Sequence, residues 1–262
     1  VATINLHWSD SKPNFGDALS PLICKLVSGC NINHSSIENC DLVAIGSLMQ
    51  RVKERIWSKR IHVWGTGFIS QEENRNSRHY LHAVRGKLTA KILRAGISTA
   101  LGDPGLLASL LINKTSANKT EQKYKCLIIP HYKDNNHPSL STLIEKNIPD
   151  IAIADVFQPC NDLLLKILSS EVVLSSAMHG LIAADSLGIP NAWIKLSDDV
   201  RGGDFKFRDY YSVFNIEPKS LNVNDLSYET LKRIVDTYSR PGLNEVKQSL
   251  IDSFPLELRG DA

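Results

Sequence analysis

The stretch Glu171–Lys195, EVVLSSAMHGLIAADSLGIPNAWIK, constrains the fold more than any other part of the chain. Val172–Leu174 is a short apolar run rich in β-branched residues, as a buried parallel strand requires. An amphipathic stretch follows. Ser175 and Ser176 are good N-cap types, and Gly188-Ile189-Pro190 ends the helix sharply before a second strand at Ala192–Ile194. Ligands of parallel sheets lie beyond the carboxyl ends of the strands, against helix N-termini whose free N–H groups attract anions. His179 falls at that place. Position alone leaves two readings for it: a titratable group at a ligand site, or a histidine that satisfies a local backbone group.

The same alternation runs along most of the chain. Strands are predicted at Thr3–Trp8, Leu42–Ile45, Ile61–Trp64, Tyr80–Val84 and Ala100–Leu101, with helices near Ala18–Val27 and Lys87–Arg94. The polar stretch Asn113–Lys123, NKTSANKTEQK, reads as a linker or exposed loop. After it come strands at Cys126–Ile129, Ile151–Ala154, Val172–Leu174 and Ala192–Ile194, with helices near Ser139–Lys146, Asn161–Leu168 and His179–Leu187. This order predicts an α/β protein with two Rossmann-like domains facing a cleft, residues 1–115 and 124–210. Residues 211–262 are expected to form a helical segment that docks on either domain, its two helical patterns interrupted by Pro241-Gly242.

Charge and cysteine usage exclude several classes. A net charge of +2 with scattered Lys and Arg gives no nucleic-acid footprint. Cys24, Cys30, Cys40, Cys126 and Cys160 form no CxxC pair and no metal-ligand spacing, so no metal is expected. An odd, dispersed set inside apolar segments suggests reduced thiols and a cytoplasmic home. No apolar run approaches the ~18–20 residues of a membrane span, and VATINLHW reads as a first strand instead of a signal peptide. Peripheral association with the inner face of the membrane stays open.

Polar residues follow seven of the predicted strands: Asn14-Phe15-Gly16-Asp17, Gly46-Ser47, Gly65-Thr66-Gly67, Arg85-Gly86 and Gly102-Asp103-Pro104-Gly105 in the first block, then Pro130-His131-Tyr132-Lys133 and Ser175–His179 in the second. Glycines there let backbone approach a ligand, while Arg, His and Asp supply charge at the mouth of the sheet. Single motifs are weak. Gly65-x-Gly67 lacks the third glycine and the acidic residue of a dinucleotide fingerprint, and no P-loop is present. No G-x-S-x-G elbow supports Ser175 or Ser176 as a nucleophile. Asp17 and Asp103 are each readable as catalytic or as helix caps.

Taken together, NFGD at 14–17, AIGS at 44–47, VWGTGF at 63–68, VRGKLT at 84–89, LGDPGLL at 101–107, IPHYKD at 129–134, SSAMHGLIAADSLGIP at 175–190 and KFRDYY at 206–211 resemble the polysaccharide pyruvyl transferase family, in its exopolysaccharide ketal-pyruvate transferase branch. The resemblance implies a fold similar to the two-domain B-type glycosyltransferases. It also implies phosphoenolpyruvate as donor substrate with no further cofactor, and a glycan acceptor, lipid-linked or polymeric. It implies catalytic roles for His179, Arg85 and Asp17, with Arg85 gripping the donor's anionic groups through its planar fork. Substrate contacts are implied for Asn14, Gly16, Gly65, Thr66, Gly67, Asp103, His131, Ser175 and Ser176. In one place the chain departs from the family pattern. Where many members carry a basic residue two positions before the histidine, this chain has Ala177, so Lys206 or Arg208 is expected to supply the missing cation. Two other functions are compatible with this fold: a nucleotide-sugar glycosyltransferase, and a glycan-binding protein without turnover. Acceptor identity and oligomeric state are not legible.

Overall fold

The computed structural model describes residues 2–10, 14–112, 121–145, 149–198 and 202–260. Most of the expected linker, residues 113–120, and the expected helix end at Lys146 lie outside them.

Two parallel sheets dominate. The first holds β1 (Thr3–His7), β2 (Asn31–His34), β3 (Leu42–Val43), β4 (His62–Trp64), β5 (Tyr80–Val84) and β6 (Ala100–Leu101) in the order β2-β1-β3-β4-β5-β6. The second holds β7 (Tyr124–Ile129), β8 (Ile151–Ile153), β9 (Ser170–Ser175), β10 (Asn191–Lys195) and β11 (Leu221–Asn222) in the order β11-β10-β9-β7-β8. Within each sheet the chain runs from its first strand to a neighbour on one side, then crosses to the other. Both are therefore doubly wound, consistent with two Rossmann-like domains. The switch points fall between β1 and β3 and between β7 and β9, and such crevices are where ligands of open α/β sheets bind.

Helices cover these sheets for reasons visible in the chain. Helix α1 (Phe15–Ser28) buries Phe15, Leu19 and Ile23 and stops at Gly29 in the left-handed region. Helix α2 (Lys87–Leu93) buries Thr89, Ile92 and Leu93. In the second domain α3 (Pro138–Glu145) and α4 (Cys160–Leu168) lie on the sheet, and α5 (Met178–Leu187) ends at Gly188. Helix α5 is buried on nearly every face because it packs both on β9 and on the first domain's α1 and the 3-10 helix Pro104–Leu111. One apolar core thus runs from Leu6 and Trp64 through Leu181 and Ile182 to Ile129 and Val173.

The C-terminal part departs from expectation. Helix α6 (Phe205–Tyr211), expected within the second domain, docks on the first domain's α2. Asp209 accepts from Thr89 N and Thr89 Oγ1 there, at 2.9 and 2.6 Å. The chain then returns to the second domain as β11 and α7 (Tyr228–Thr237), whose Leu231 and Ile234 join Val172, Leu174 and Ile194. Helix α8 (Leu243–Asp252) crosses back once more. Trp64 Nε1 donates to Leu250 O at 2.9 Å, and Phe254 meets the Trp64 ring edge-on. Residues 211–260 therefore pack against both domains in turn, on either side of the boundary expected at 210.

Candidate active site

The two switch points face each other across a cavity of about 220 Å³. The first domain supplies Ser9, Asn14, Gly16 and Asp17 after β1 and Gly46–Leu48 after β3, with Arg51 just beyond. The second supplies Pro130–Tyr132 after β7 and Ala177–Gly180 after β9, and Lys206 reaches in from α6.

The first-domain wall is the start of α1. Asn14 is its N-cap, accepting from Asp17 N at 3.1 Å, and the Asn14 amide donates back to Asp17 Oδ2 at 2.5 Å. Asn14, not Asp17, is thus the cap, and this reciprocal pair fixes the Asp17 carboxylate in the first turn. Burial raises the Asp17 pKa above the ordinary carboxylate value, against the lowering effects of Asn14, His179 and Arg51.

The second-domain wall is the start of α5. Its N-cap is Ala177, which has no side chain able to cap, so the expectation that Ser175 or Ser176 caps this helix does not hold. Both serines are buried and committed elsewhere. Ser175 Oγ donates to Ile129 O, and it accepts from Ala177 N. Ser176 Oγ donates to Asp134 Oδ2 and accepts from His131 N, at 2.7 and 2.8 Å, which positions the His131 loop. Neither hydroxyl is presented as a nucleophile.

His179 stands between the walls. Its ring packs directly on Gly16, where any Cβ would overlap Nδ1, so a glycine is required. On the other side Nε2 faces Oδ2 of the fully buried Asp103 at 3.6 Å. Neither atom has a hydrogen bond among the described residues. Asp103 Oδ1 is occupied by Gly105 N at 2.9 Å, capping the 3-10 helix Pro104–Leu111. Asp103 is therefore both cap and histidine partner, and it lies behind His179 without lining the cavity.

His131 and Lys206 add titratable groups. Burial first, then the neighbouring Lys206 charge, depresses the His131 pKa to about 4, so the ring is neutral at pH 7. Its Nδ1 accepts from Lys133 N at 3.3 Å, which leaves the proton on Nε2. Lys206 is 8% exposed and has no ion pair among the described residues. Burial and the Arg85 charge lower its pKa to about 8. Of the two cations expected to replace the one missing at position 177, only Lys206 reaches the cavity. Arg208 points outward and pairs with Glu217 at 3.0 Å.

Arg85 is placed differently from expectation. It is completely buried, and its guanidinium donates to Asp209 Oδ2 at 3.0 Å, Ser47 Oγ at 2.6 Å and Phe68 O. No face of the fork is offered to the cavity, and Arg85 is a strut joining β5, the 46–48 loop and α6. Gly65, Thr66 and Gly67 belong to the same support. Thr66 Oγ1 donates to Gly46 O and accepts from Leu48 N, and a Cβ on Gly67 would strike the Arg85 guanidinium. The cation missed from sequence is Arg51, which lines the cavity and acts electrostatically on Asp17. It lies on the short 3-10 turn Met49–Arg51, without helix or strand periodicity to mark it.

Among the described residues no cluster of three or more His, Cys, Asp or Glu side chains suits a metal ion. No helix there is long and apolar enough to cross a membrane. All five cysteines are buried and unpaired, with burial pushing the Cys160 thiol up to about 11 and Cys126 up to about 12.

Two doubly wound domains, with Asp17, the His179–Asp103 pair, Arg51 and Lys206 gathered at their apposed switch points, define an α/β protein with a polar cavity between two parallel sheets. The family described as Polysaccharide pyruvyl transferase matches residues 3–198, and the chain belongs to that family. It is 35% identical over 165 residues to the uncharacterized protein L143 of Acanthamoeba polyphaga mimivirus, covering 61% of this chain and 57% of that protein. It is 24% identical over 218 residues to the succinoglycan biosynthesis protein ExoV of Rhizobium meliloti, covering 80% of this chain and 64% of that protein. The matched stretch spans less than two thirds of either relative's length.

Proposed function

We propose that the protein transfers the pyruvyl group of phosphoenolpyruvate to a sugar of a polysaccharide or its precursor, forming a pyruvate ketal in a fold arranged like the B-type glycosyltransferases. The observation that carries this reading is the contrast between the cavity's walls. One offers an uncapped helix N-terminus beside Lys206, a seat for a phosphate or carboxylate. The other offers a carboxyl group whose pKa is raised, with His179 between them.

Ketal formation needs a proton on the donor's methylene carbon, which makes C2 an oxocarbenium-like centre. A sugar hydroxyl attacks C2 and loses its proton, the C–O bond to phosphate breaks, and a second hydroxyl closes the ring with loss of another proton. Of the two protons the hydroxyls release, one balances the methylene proton and the other leaves with phosphate. In this scheme Asp17 supplies the methylene proton, because its raised pKa keeps it protonated further toward neutrality. His179 is the base for the hydroxyl, and Asp103, facing its Nε2 at 3.6 Å, favours the imidazolium that forms as the ring takes the proton. Lys206, Arg51 and the α5 N-terminus neutralise the donor. We propose no metal requirement, since these protein charges face the donor's phosphate and carboxylate. The test is phosphate release from phosphoenolpyruvate with pyranosides bearing free 4- and 6-hydroxyls, with and without chelator. Release that depends on acceptor and on His179, and survives chelation, supports the reading. Turnover of UDP-sugars with none of phosphoenolpyruvate would replace it with a glycosyltransferase.

A further inference from the structure

Ile56 and Trp57 are adjacent in the chain, and they are 86% and 82% exposed. The other tryptophans are not: Trp64 and Trp193 are buried and Trp8 is half-buried. A large aromatic paired with isoleucine at a loop tip costs apolar exposure that singly scattered surface residues do not.

The surroundings of this tip are electrically distinct. Parallel strands place their N-terminal ends on one edge, so the loops entering β3, β4, β5 and β6 converge there. The final stretches of those loops, residues 37–41, 52–61, 75–79 and 94–99, carry seven basic side chains and three acidic ones, with Glu72 and Glu73 just before the third stretch, an excess of four within the stretches themselves in a chain whose whole net charge is +2. The remainder of the molecule is therefore net negative. Two of the acids are matched, Glu38 with Lys53 at 2.8 Å and Asp41 with Lys59 at 2.5 Å. The third, Glu54, accepts from Ser77 Oγ and Arg78 N. Arg55, next to Ile56, has no ion pair among the described residues. Ile97, wholly exposed, projects from the last of these loops, and Tyr80 at the start of β5 carries the Arg60 guanidinium over its ring at 4.0 Å. Apolar and aromatic tips inside a basic collar match the chemistry of an anionic lipid surface: rings at the headgroup level and cations against lipid charge.

We propose that this edge of the first sheet is a docking surface for an anionic bilayer, with Ile56 and Trp57 entering the headgroup region. Trp57 lines a cavity of about 340 Å³ together with Lys53, Lys59 and Arg51. Arg51 lines the active-site cavity as well, so one residue joins the docking edge to the site. The contact is superficial, with apolar side chains in the interface plane.

The experiment is sedimentation of the whole chain with vesicles of phosphatidylcholine alone or with added phosphatidylglycerol. Binding is expected to the anionic vesicles only, falling as salt rises. The double variant Ile56→Ser/Trp57→Ser should lower partitioning by on the order of tenfold or more. Arg55→Glu should lower it by a similar factor. Both variants should keep the parent's melting temperature and its phosphate release with a soluble acceptor. Absence of binding to anionic vesicles, or equal binding by parent and both variants, overturns the proposal. So does self-association in ultracentrifugation that Ile56→Ser/Trp57→Ser abolishes without any vesicle binding, which would assign the surface to a second copy of the chain. The readout is lipid binding, so its failure leaves the pyruvyl-transfer reading untouched.

Discussion

The two helices that open onto the active-site cavity begin in opposite ways. Helix α1 is capped by Asn14 and carries Asp17 in its first turn, so its N-terminus is already satisfied and bears a carboxyl group. Helix α5 begins at Ala177, with no side-chain cap and no acid in its first turn. Each follows a strand that borders its sheet's switch point, the first strand in one domain and the third in the other. In the proposed reading the first wall handles protons and the second binds the donor's anion. The first helix N-terminus is satisfied by its own cap; the second has no side-chain cap and is proposed to meet the ligand.

The largest effect should come from the residue between the walls. His179→Ala is expected to lower turnover by roughly 10²–10⁴-fold, the usual worth of one acid–base group, with an unchanged melting temperature. Near-parental phosphate release would reduce His179 to a packing residue against Gly16 and remove the middle of the comparison.

The anion wall is tested by giving α5 the feature that α1 has. Ala177→Asp should cap the helix and place a negative charge where the donor's anion is proposed to sit. Donor affinity should fall by about tenfold or more while stability stays level or rises. If donor affinity survived this change, the anion would have to sit elsewhere.

Lys206 sharpens the same wall through pH. Its folded pKa, about 8, is below the ordinary lysine value. As a cation it should hold the donor below that pH, so affinity should weaken as pH rises through about 8. The linkage for the free protein has the opposite direction. Because the group is more easily deprotonated in the folded state, stability should increase between about pH 8 and the ordinary lysine pKa of roughly 10.4. Lys206→Met should flatten both profiles, which titration of donor affinity and denaturant unfolding against pH would check.

The smallest effect belongs to the acid–base wall. Asn14→Ala should cost about 1 kcal/mol of stability through loss of the cap, measured by denaturant unfolding. It should also loosen Asp17 and shift the pH dependence of turnover. A loss of stability without any change in that profile would separate the cap from the chemistry.

Most of the sheet strands were legible because buried parallel strands are largely apolar, as Val172–Leu174 is within β9; Tyr80–Val84 and Ala100–Leu101, only partly buried, also emerge with the expected bounds. The exceptions are edge strands. Asn31–His34 reads NINH, polar and largely exposed, and Leu221–Asn222 is too short to leave a pattern, so the extent of the second domain was missed. At the site, loop chemistry pointed to the right end of each sheet but not to which residues face the cavity. Arg85 has the fork expected of a donor-binding arginine, yet its partner Asp209 lies 124 residues away, and nothing local announces that burial. His179 was legible from the strand–helix junction, while its pairing with Asp103 came only with the docking of α5 on the first domain.

The central claim is that the α5 N-terminus and Lys206 seat the donor's anion. Calorimetric titration of phosphoenolpyruvate into the parent, Ala177→Asp and Lys206→Met, with UDP and a UDP-sugar in parallel, tests it most directly. The account predicts saturable one-to-one binding of phosphoenolpyruvate to the parent, clear weakening in both variants, and no binding of UDP. Binding of UDP instead, or phosphoenolpyruvate binding that neither substitution alters, would contradict it.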